Sequence, residues 1–316
     1  MNPIQRSQVD LDGLENFLNS LSSSKHRFMV QKGAQLIYHY TDLGALRSIA
    51  SGHDLWLTNS QYSNDEDESR HGYEIARSVV RNYLQKAERA RPRDDLKVEY
   101  AQVLSSLVEK LPPEGFYICC FCEEDNLLSQ WRSYGANGTG VSLGFNPMEF
   151  VAITGPDMPL SLGLMRLWQV FYDIKQQQNI VLGAIKFVWE NRGTQDAQQL
   201  ATRAADAIQF FIPTFKNMDF REEKERRLIF TPGPTCSVKP IYRVGRGMLI
   251  PYYSVRDLAR AAGRGTPNDP WKLPLRSIMV GPSAQKNLNV ESTTMLLQQN
   301  GYDHVDVKAS ATPYRG

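Results

Sequence analysis

Leu36-Ile37-Tyr38-His39-Tyr40-Thr41-Asp42 is the stretch on which the fold turns. It is rich in aliphatic and aromatic residues and is short, so a strand is expected over Leu36 to Tyr40. Asp42 suits an N-cap, because its carboxylate can accept from the free N–H groups of a first helical turn. The helix so capped runs from Leu43 to Ala50, with Gly52 as its stop. Leu55 to Thr58 reads as the next strand. Strand, helix and strand therefore follow one another without a long loop.

Outward from this unit the periodicity changes several times. Upstream, Leu11, Leu14, Leu18 and Leu21 recur at helical spacing and predict a helix within residues 1–35. Downstream, Ile75, Val79 and Tyr83 mark one helix. Pro92 interrupts it, and Tyr100, Val103, Leu104, Leu107, Val108 and Leu111 mark a second. Strands are expected at Phe116 to Phe121, Gly140 to Phe145, Met165 to Tyr172, Arg226 to Phe230, Ile278 to Val280 and His304 to Val307. A hairpin is expected from Ile241 to Tyr253 around Gly245 and Gly247. Helices are expected at Leu127 to Tyr134, Val181 to Trp189, Ala197 to Phe211 and Ser283 to Gln299. Strands and helices do not alternate regularly, which argues for α+β and against a doubly wound parallel sheet. The expected organisation is one domain over 36–316, with helical insertions near 67–111 and 173–216.

Composition bounds the function. With 316 residues, 41% of them hydrophobic, the chain can bury a core without disulfide or metal staples. Lys and Arg number 36 against 34 Asp and Glu, a net charge of +2, which excludes a protein held on nucleic acid by bulk charge. No apolar run approaches the roughly 20 residues of a membrane helix, and the N-terminus has no signal-peptide core. A cytoplasmic protein with no membrane partner is expected. Cys119, Cys120 and Cys122 lack the paired Cys-x-x-Cys spacing of a metal site. They read as small buried hydrophobes, with Tyr117, Cys119 and Phe121 on one strand face.

Several groups suit chemistry. On a strand His39 and Thr41 share one face and Tyr38 and Tyr40 the other. A histidine beside a hydroxyl at a strand end can hold a ribose hydroxyl or a phosphate, and equally suits a packed ring with a local hydrogen bond. Asn64-Asp65-Glu66-Asp67-Glu68 suits the start of the following helix or a polar site. Trp131 and Tyr134, three residues apart on a helix, suit a stacking wall or the core. If Phe220 to Arg227 is extended, Glu223, Glu225 and Arg227 share a face. Ionisable groups so placed are costly when buried without partners, so a polar cleft, a solvated edge and a helix surface with compensating pairs all fit. In the 239–276 segment Lys239, Arg243, Arg246, Arg256, Arg260, Arg264, Lys272 and Arg276 stand against Asp257 and Asp269 alone. With Tyr242, Tyr252, Tyr253 and Trp271 among them, that segment suits nucleic acid as well as a generic basic surface.

These pieces occur in a known order. Leu36 to Thr41, Leu55-Trp56-Leu57, Asn64-Asp65-x-x-Glu68, Phe121-Cys122, Leu128-x-x-Trp131-x-x-Tyr134-Gly135, Gly140-Val141-x-Leu143-Gly144-Phe145, Glu223 to Ile229, Val280-Gly281-Pro282 and Ser310-x-x-Pro313-Tyr314-Arg315 together resemble the bacterial domain-of-unknown-function 2971 family. The chain departs from that pattern at Cys122, where Ser is expected, and at Arg226, where an aromatic is usual. A more distant likeness is to the ADP-ribosyltransferase fold, in which a strand ending in His-x-Thr is followed by a helix, a second strand and a late Glu-x-Glu. It implies split mixed or antiparallel sheets with helical insertions and NAD as substrate, with no metal. It implies Glu225 as the catalytic carboxylate, Glu223 as the acid that orients the acceptor, and His39 as the ribose anchor. Thr41 and Arg227 complete the implied NAD-binding set, and Tyr62, Trp131 and Tyr134 are the stacking candidates, Tyr62 favoured. The implied activity is ADP-ribosyl transfer or NAD hydrolysis, in an anti-phage or toxin setting, with a nucleic-acid, protein or self partner. The rivals are a nucleic-acid-associated protein that uses the basic segment without NAD chemistry, and a catalytically silent interaction module.

Overall fold

The computed structural model describes residues 35–313 apart from 63–65, 112–114, 155–158, 160, 234, 246 and 267–270. The helix expected around Leu11 to Leu21, together with Asn64, Asp65 and Arg246, lies outside the described residues. The chain divides into two compact units. One takes 63–115 and 170–220, which contain both stretches expected as helical insertions. The other takes the described residues of 29–62, 116–169 and 221–316 and contains the sheet.

The sheet unit opens as its sequence suggests. Strand β1 (Ile37–Thr41) runs into helix α1 (Leu43–Gly52), whose N-cap Asp42 accepts from the Ala45 N–H at 2.7 Å. The expected stop at Gly52 is corrected. His53 takes the left-handed conformation, φ 49°, and its N–H closes on the Ile49 carbonyl. Strand β2 (Trp56–Asn59) follows, then β3 (Tyr117–Cys122) from much later in the chain.

Strand β3 is the branch point. Strand β6 (Glu225–Pro232) pairs with its whole length, from Tyr117↔Phe230 to Cys122↔Glu225. Its other edge is divided. Strand β1 meets it only at Tyr38↔Cys122, and β2 only at Ile118 and Tyr117. From β1 one arm continues through β4 (Val141–Phe145) and β9 (Leu275–Val280) to β10 (Asp306–Ala309). From β2 the other continues through β8 (Met248–Ser254) to β7 (Ile241–Gly245). Strand β5 (Gly163–Gln169) closes the β6 side. Every pairing is antiparallel except β9 with β10. The class is α+β with a mixed, forked sheet.

The register assigns the faces, since directly opposed residues point the same way. Ile37, His39, Phe121, Leu143, Phe145 and Leu228 share one face. Tyr38, Tyr40, Cys122, Glu225 and Arg227 share the other. The first face carries the main core, where the rings of Phe121, Phe145 and Phe150 pack at 5.6 to 5.8 Å. Cys119 and Phe121 are buried there and Tyr117 packs against them, as the alternation predicts. Helices α4 (Leu128–Ser133) and α9 (Lys286–Gln299) match expected segments. Helices α5 (Pro147–Thr154) and α8 (Val255–Ala261) have no counterpart among the segments expected from the sequence.

In the helical unit, helices of Glu66–Arg89, Asp95–Glu109, Ile174–Glu190 and Ala197–Phe211 pack together. Tyr100 stacks on Trp189 at 5.5 Å and donates its hydroxyl to the Ile185 carbonyl at 3.0 Å. Fully buried Gln177 donates to the carbonyls of Phe171 (2.5 Å) and Lys216 (2.8 Å) and accepts from His71 Nε2 (3.0 Å). A buried amide is tolerated because each of these polar atoms is matched.

Two glycines let backbone pack on backbone where the Gly138-Thr139-Gly140 turn meets Gly281. A Cβ on Gly140 would lie 2.1 Å from the Thr41 carbonyl, and one on Gly281 2.4 Å from that of Gly138. Neither neighbour is a side chain that can rotate away. Gly140→Ala and Gly281→Ala are each expected to destabilise by at least the ~1–3 kcal/mol of an overpacked core. Gly52→Ala, whose Cβ would meet nothing closer than 3.8 Å, is expected to be neutral or mildly stabilising. Urea denaturation of the three variants against wild type checks the ordering.

Candidate functional site

The face that carries Tyr38 and Tyr40 gathers residues from most of the chain. Trp131, fully buried, stands edge-on to Tyr40 at 4.8 Å, and Cys122 and Met279 pack with them. The Tyr40 hydroxyl donates to the Glu124 carbonyl (2.8 Å) and accepts from the Leu127 N–H (2.9 Å). Burial raises its pKa far above the ordinary phenol value, so it serves as a neutral clasp. Asn126 is the hub beside it. Its Oδ1 accepts from Trp131 Nε1 (2.8 Å), Ser310 Oγ (2.8 Å) and Thr312 Oγ1 (3.1 Å). The end of β3, helix α4 and the segment after β10 are thereby tied at one oxygen.

At the start of β6 stand the acids. Glu225 is buried, and its two carboxylate oxygens take a two-pronged bond from Arg227, Nε to Oε1 at 2.8 Å and Nη2 to Oε2 at 3.0 Å. The two side chains are 5% and 4% exposed, so neither reaches solvent to any useful extent. Burial lowers the Arg227 pKa, to about 9, which leaves it a cation at neutral pH. Glu223 differs. Lys224 adopts the left-handed conformation, φ 46°, and breaks the strand alternation before β6 begins. Glu223 is therefore only half-buried, and its Oε1 accepts from the hydroxyl of Tyr134 at 3.3 Å. Lys224 pairs with Glu124 and Arg226 with Glu123, closing the end of the β3–β6 ladder.

The structure separates the residues proposed from the sequence. Glu223, Glu225, Arg227, Trp131 and Tyr134 come together. His39 does not join them. The register turns it to the opposite face, where its ring meets Phe121 at 5.9 Å and its Nδ1 bonds the Cys120 carbonyl at 2.9 Å. Thr41 faces the same way as His39. Tyr62 ends the turn after β2, whose Ser60 N–H bonds the Phe116 carbonyl, at the far end of β3 from Glu225. The six-residue strand puts roughly 17 Å between those ends. Trp131 is core and offers no open ring face, whereas Tyr134 is 41% exposed. The hub residue Asn126 escaped the sequence reading, since nothing local marks an asparagine that bonds a segment far along the chain.

The basic 239–276 segment also changes. Arg256 bonds the Gly52 carbonyl and Asp257, Arg260 pairs with Asp257, Arg276 with Glu149, and Lys272 and Lys239 reach backbone carbonyls. Most of its described cations are thus engaged within the fold. Among the described residues no group of three His, Cys, Asp or Glu side chains could hold a metal ion, and no helix is long and apolar enough to cross a membrane.

The architecture defines an α+β protein with a forked sheet and an acidic, aromatic-edged site at the start of β6. The family comparison falls on that site. Residues 130–228 match the model of a protein family of unknown function, DUF2971. The match starts beside Trp131 and ends just past Arg227, and over that stretch the resemblance drawn from the motifs holds. No curated protein and no solved structure matches the chain.

Removing one partner of a buried ion pair strands the other, at a cost of about 3–5 kcal/mol. Glu225→Gln and Arg227→Met are each expected to lower stability on that order, and the double variant to recover part of the loss. Denaturation of all three checks this, and a Glu225→Gln protein as stable as wild type would falsify the pairing role.

His39 carries a pH signature. Burial is the larger influence and lowers its pKa, while the bond to Cys120 acts the other way. The unfolded chain therefore takes up a proton more readily than the folded one. The contribution is fully present above the ordinary histidine pKa of about 6.5 and is lost as the pH falls below it. Stability profiles of wild type and His39→Gln should diverge in that window, the variant falling less steeply.

Proposed function

We propose that the chain is an NAD-consuming enzyme, an ADP-ribosyltransferase or NAD glycohydrolase, in which Glu223 is the working carboxylate. The observation that carries this reading is the split between the two acids. Glu225 is buried in its two-pronged pair with Arg227, while Glu223 is half-exposed and accepts from the hydroxyl of Tyr134, whose side chain is exposed. In this reading Glu225 and Arg227 are positioning residues that hold the start of β6, and Tyr134 is the aromatic edge of the nicotinamide pocket. His39 has no part in it, and the ribose-anchor role implied by the resemblance falls away.

The chemistry asks little more of the protein. The bond between the ribose carbon and the nicotinamide nitrogen breaks, and its electron pair leaves with nicotinamide. Positive charge grows on the ribose carbon, where a fixed carboxylate stabilises it electrostatically. Water or an acceptor hydroxyl then bonds to that carbon and gives its proton to the carboxylate.

Nicotinamide release from NAD by the purified protein, alone and with RNA, DNA or protein acceptors, tests the reading. Glu223→Gln is expected to lose about a hundredfold or more of the turnover while melting like wild type. Tyr134→Ala is expected to raise KM more than it lowers kcat. Absence of turnover under every acceptor condition sinks the proposal, and an active Glu223→Gln removes Glu223 from it.

A further inference from the structure

The arm of the sheet that runs from β2 through β8 to β7 carries a second feature, unrelated to the acids. Pairing of Thr58 with Tyr252, Tyr252 with Ile241 and Arg243 with Ile250 places Trp56, Thr58, Tyr252, Ile241 and Arg243 on one face. Trp56 lies against Tyr252, ring centroids 4.5 Å apart and planes 30° from parallel. The indole is 43% exposed and Ile241 is 41% exposed. Of the five tryptophans, Trp131 and Trp168 are buried and Trp189 and Trp271 are half-buried, so Trp56 is the one that offers an open ring face. Thr58 brings a hydroxyl to the same surface.

The strands that carry this ring bring a cation and no acid of their own. The sequences of β2, β7 and β8 contain no carboxylate, and Arg243 is their ionisable cation. The buried Nε of Arg243 has no hydrogen-bond partner among the described residues. The acids nearest in electrostatic effect, Asp54 and Asp257, act on Tyr252 and are already committed. Asp54 accepts from the Arg256 N–H at 3.0 Å, and Asp257 pairs with Arg256 at 3.3 Å and Arg260 at 3.8 Å.

We infer that this sheet face is a docking surface for single-stranded nucleic acid. A planar aromatic held rigid by a second ring takes one face of an unpaired base, and the half-exposed Arg243 side chain on the same sheet face supplies the positive charge for the phosphate beside it. The fit is to a single strand, because the bases of a duplex are already stacked and present no open π face to a flat sheet. The surface is built from the strands themselves and takes Arg243 alone from the basic run, most of whose other described members are spent inside the fold. It does not rest on the NAD reading and survives or fails separately from it.

The test is binding of a fluorescent oligothymidylate of about 12 nucleotides, a length within the range of single-strand sites, to the full chain at about 50 mM salt. Polarisation reports affinity and Trp56 emission reports stacking. Wild type is expected to bind the single strand in preference to the same length of duplex, with quenching of tryptophan emission. Trp56→Ala is expected to bind about tenfold or more weakly and to lose most of the quenching. Arg243→Ala is expected to bind more weakly and to lower the salt slope by somewhat under one, as removal of one phosphate contact requires. Both positions lie on the surface arm, and thermal melts confirm that the variants fold. Wild type that fails to bind, that prefers duplex, or that keeps its affinity through both substitutions overturns the assignment. So does emission from Trp56 that shifts with protein concentration in the absence of oligonucleotide, which would give the face to a second copy of the chain. An RNA oligomer in a parallel arm distinguishes ribose from deoxyribose partners.

Discussion

A strand in the middle of a sheet has two edges of N–H and C=O groups to satisfy, and β3 meets this demand unevenly. Its pairing with β6 runs the full six residues, so that edge is settled. The other edge is shared by two strands that reach only its ends, β1 at Cys122 and β2 at Ile118 and Tyr117. Between them lies the Cys120 carbonyl, which is taken by the ring of His39 at 2.9 Å. The histidine is thus a bridge across the fork. Its side chain bonds where the neighbouring strand has already turned away, which matches the Cys120 carbonyl at the point where the sheet splits. Both arms of the sheet follow from that split.

Electrostatics sorts the acids on the opposite face. A buried carboxylate is stable only with a partner of matched geometry, and the two-pronged bond from Arg227 gives Glu225 one. The cost is accessibility, because a carboxylate whose oxygens both serve a guanidinium has little left to offer a substrate. Two residues earlier the left-handed Lys224 interrupts the alternation, and Glu223 escapes the same fate. A single backbone angle therefore separates the acid buried in the ion pair from the one left half-exposed beside Tyr134.

Distant segments are fastened to this face by polar contacts rather than by apolar packing alone. Asn126 collects donors from the indole of Trp131 and from Ser310 and Thr312 near the end of the described chain. The paired glycines 140 and 281 do the same through the backbone, since their missing side chains let two turns touch. Such contacts hold the aromatic face in one arrangement more sharply than the cluster of Tyr40, Cys122, Trp131 and Met279 would by itself.

Local physics was legible in the amino-acid order. Asp42 caps the helix it was expected to cap, the hairpin forms around Gly245 and Gly247, and the alternation of Tyr117, Cys119 and Phe121 marks the core side of β3. Each depends on neighbours within a few residues, where period and capping chemistry are visible. The faces of different strands are another matter. His39 and Glu225 each sit on a strand whose alternation is readable, yet the relation between the two alternations is set by the register Tyr38↔Cys122↔Glu225, which no local pattern encodes. A shift of one residue in that register would have put them on the same side. The buried partner of Glu225, the hub at Asn126 and the stacking of Trp56 on Tyr252 likewise depend on which strands become neighbours, and that is decided only when the whole sheet assembles.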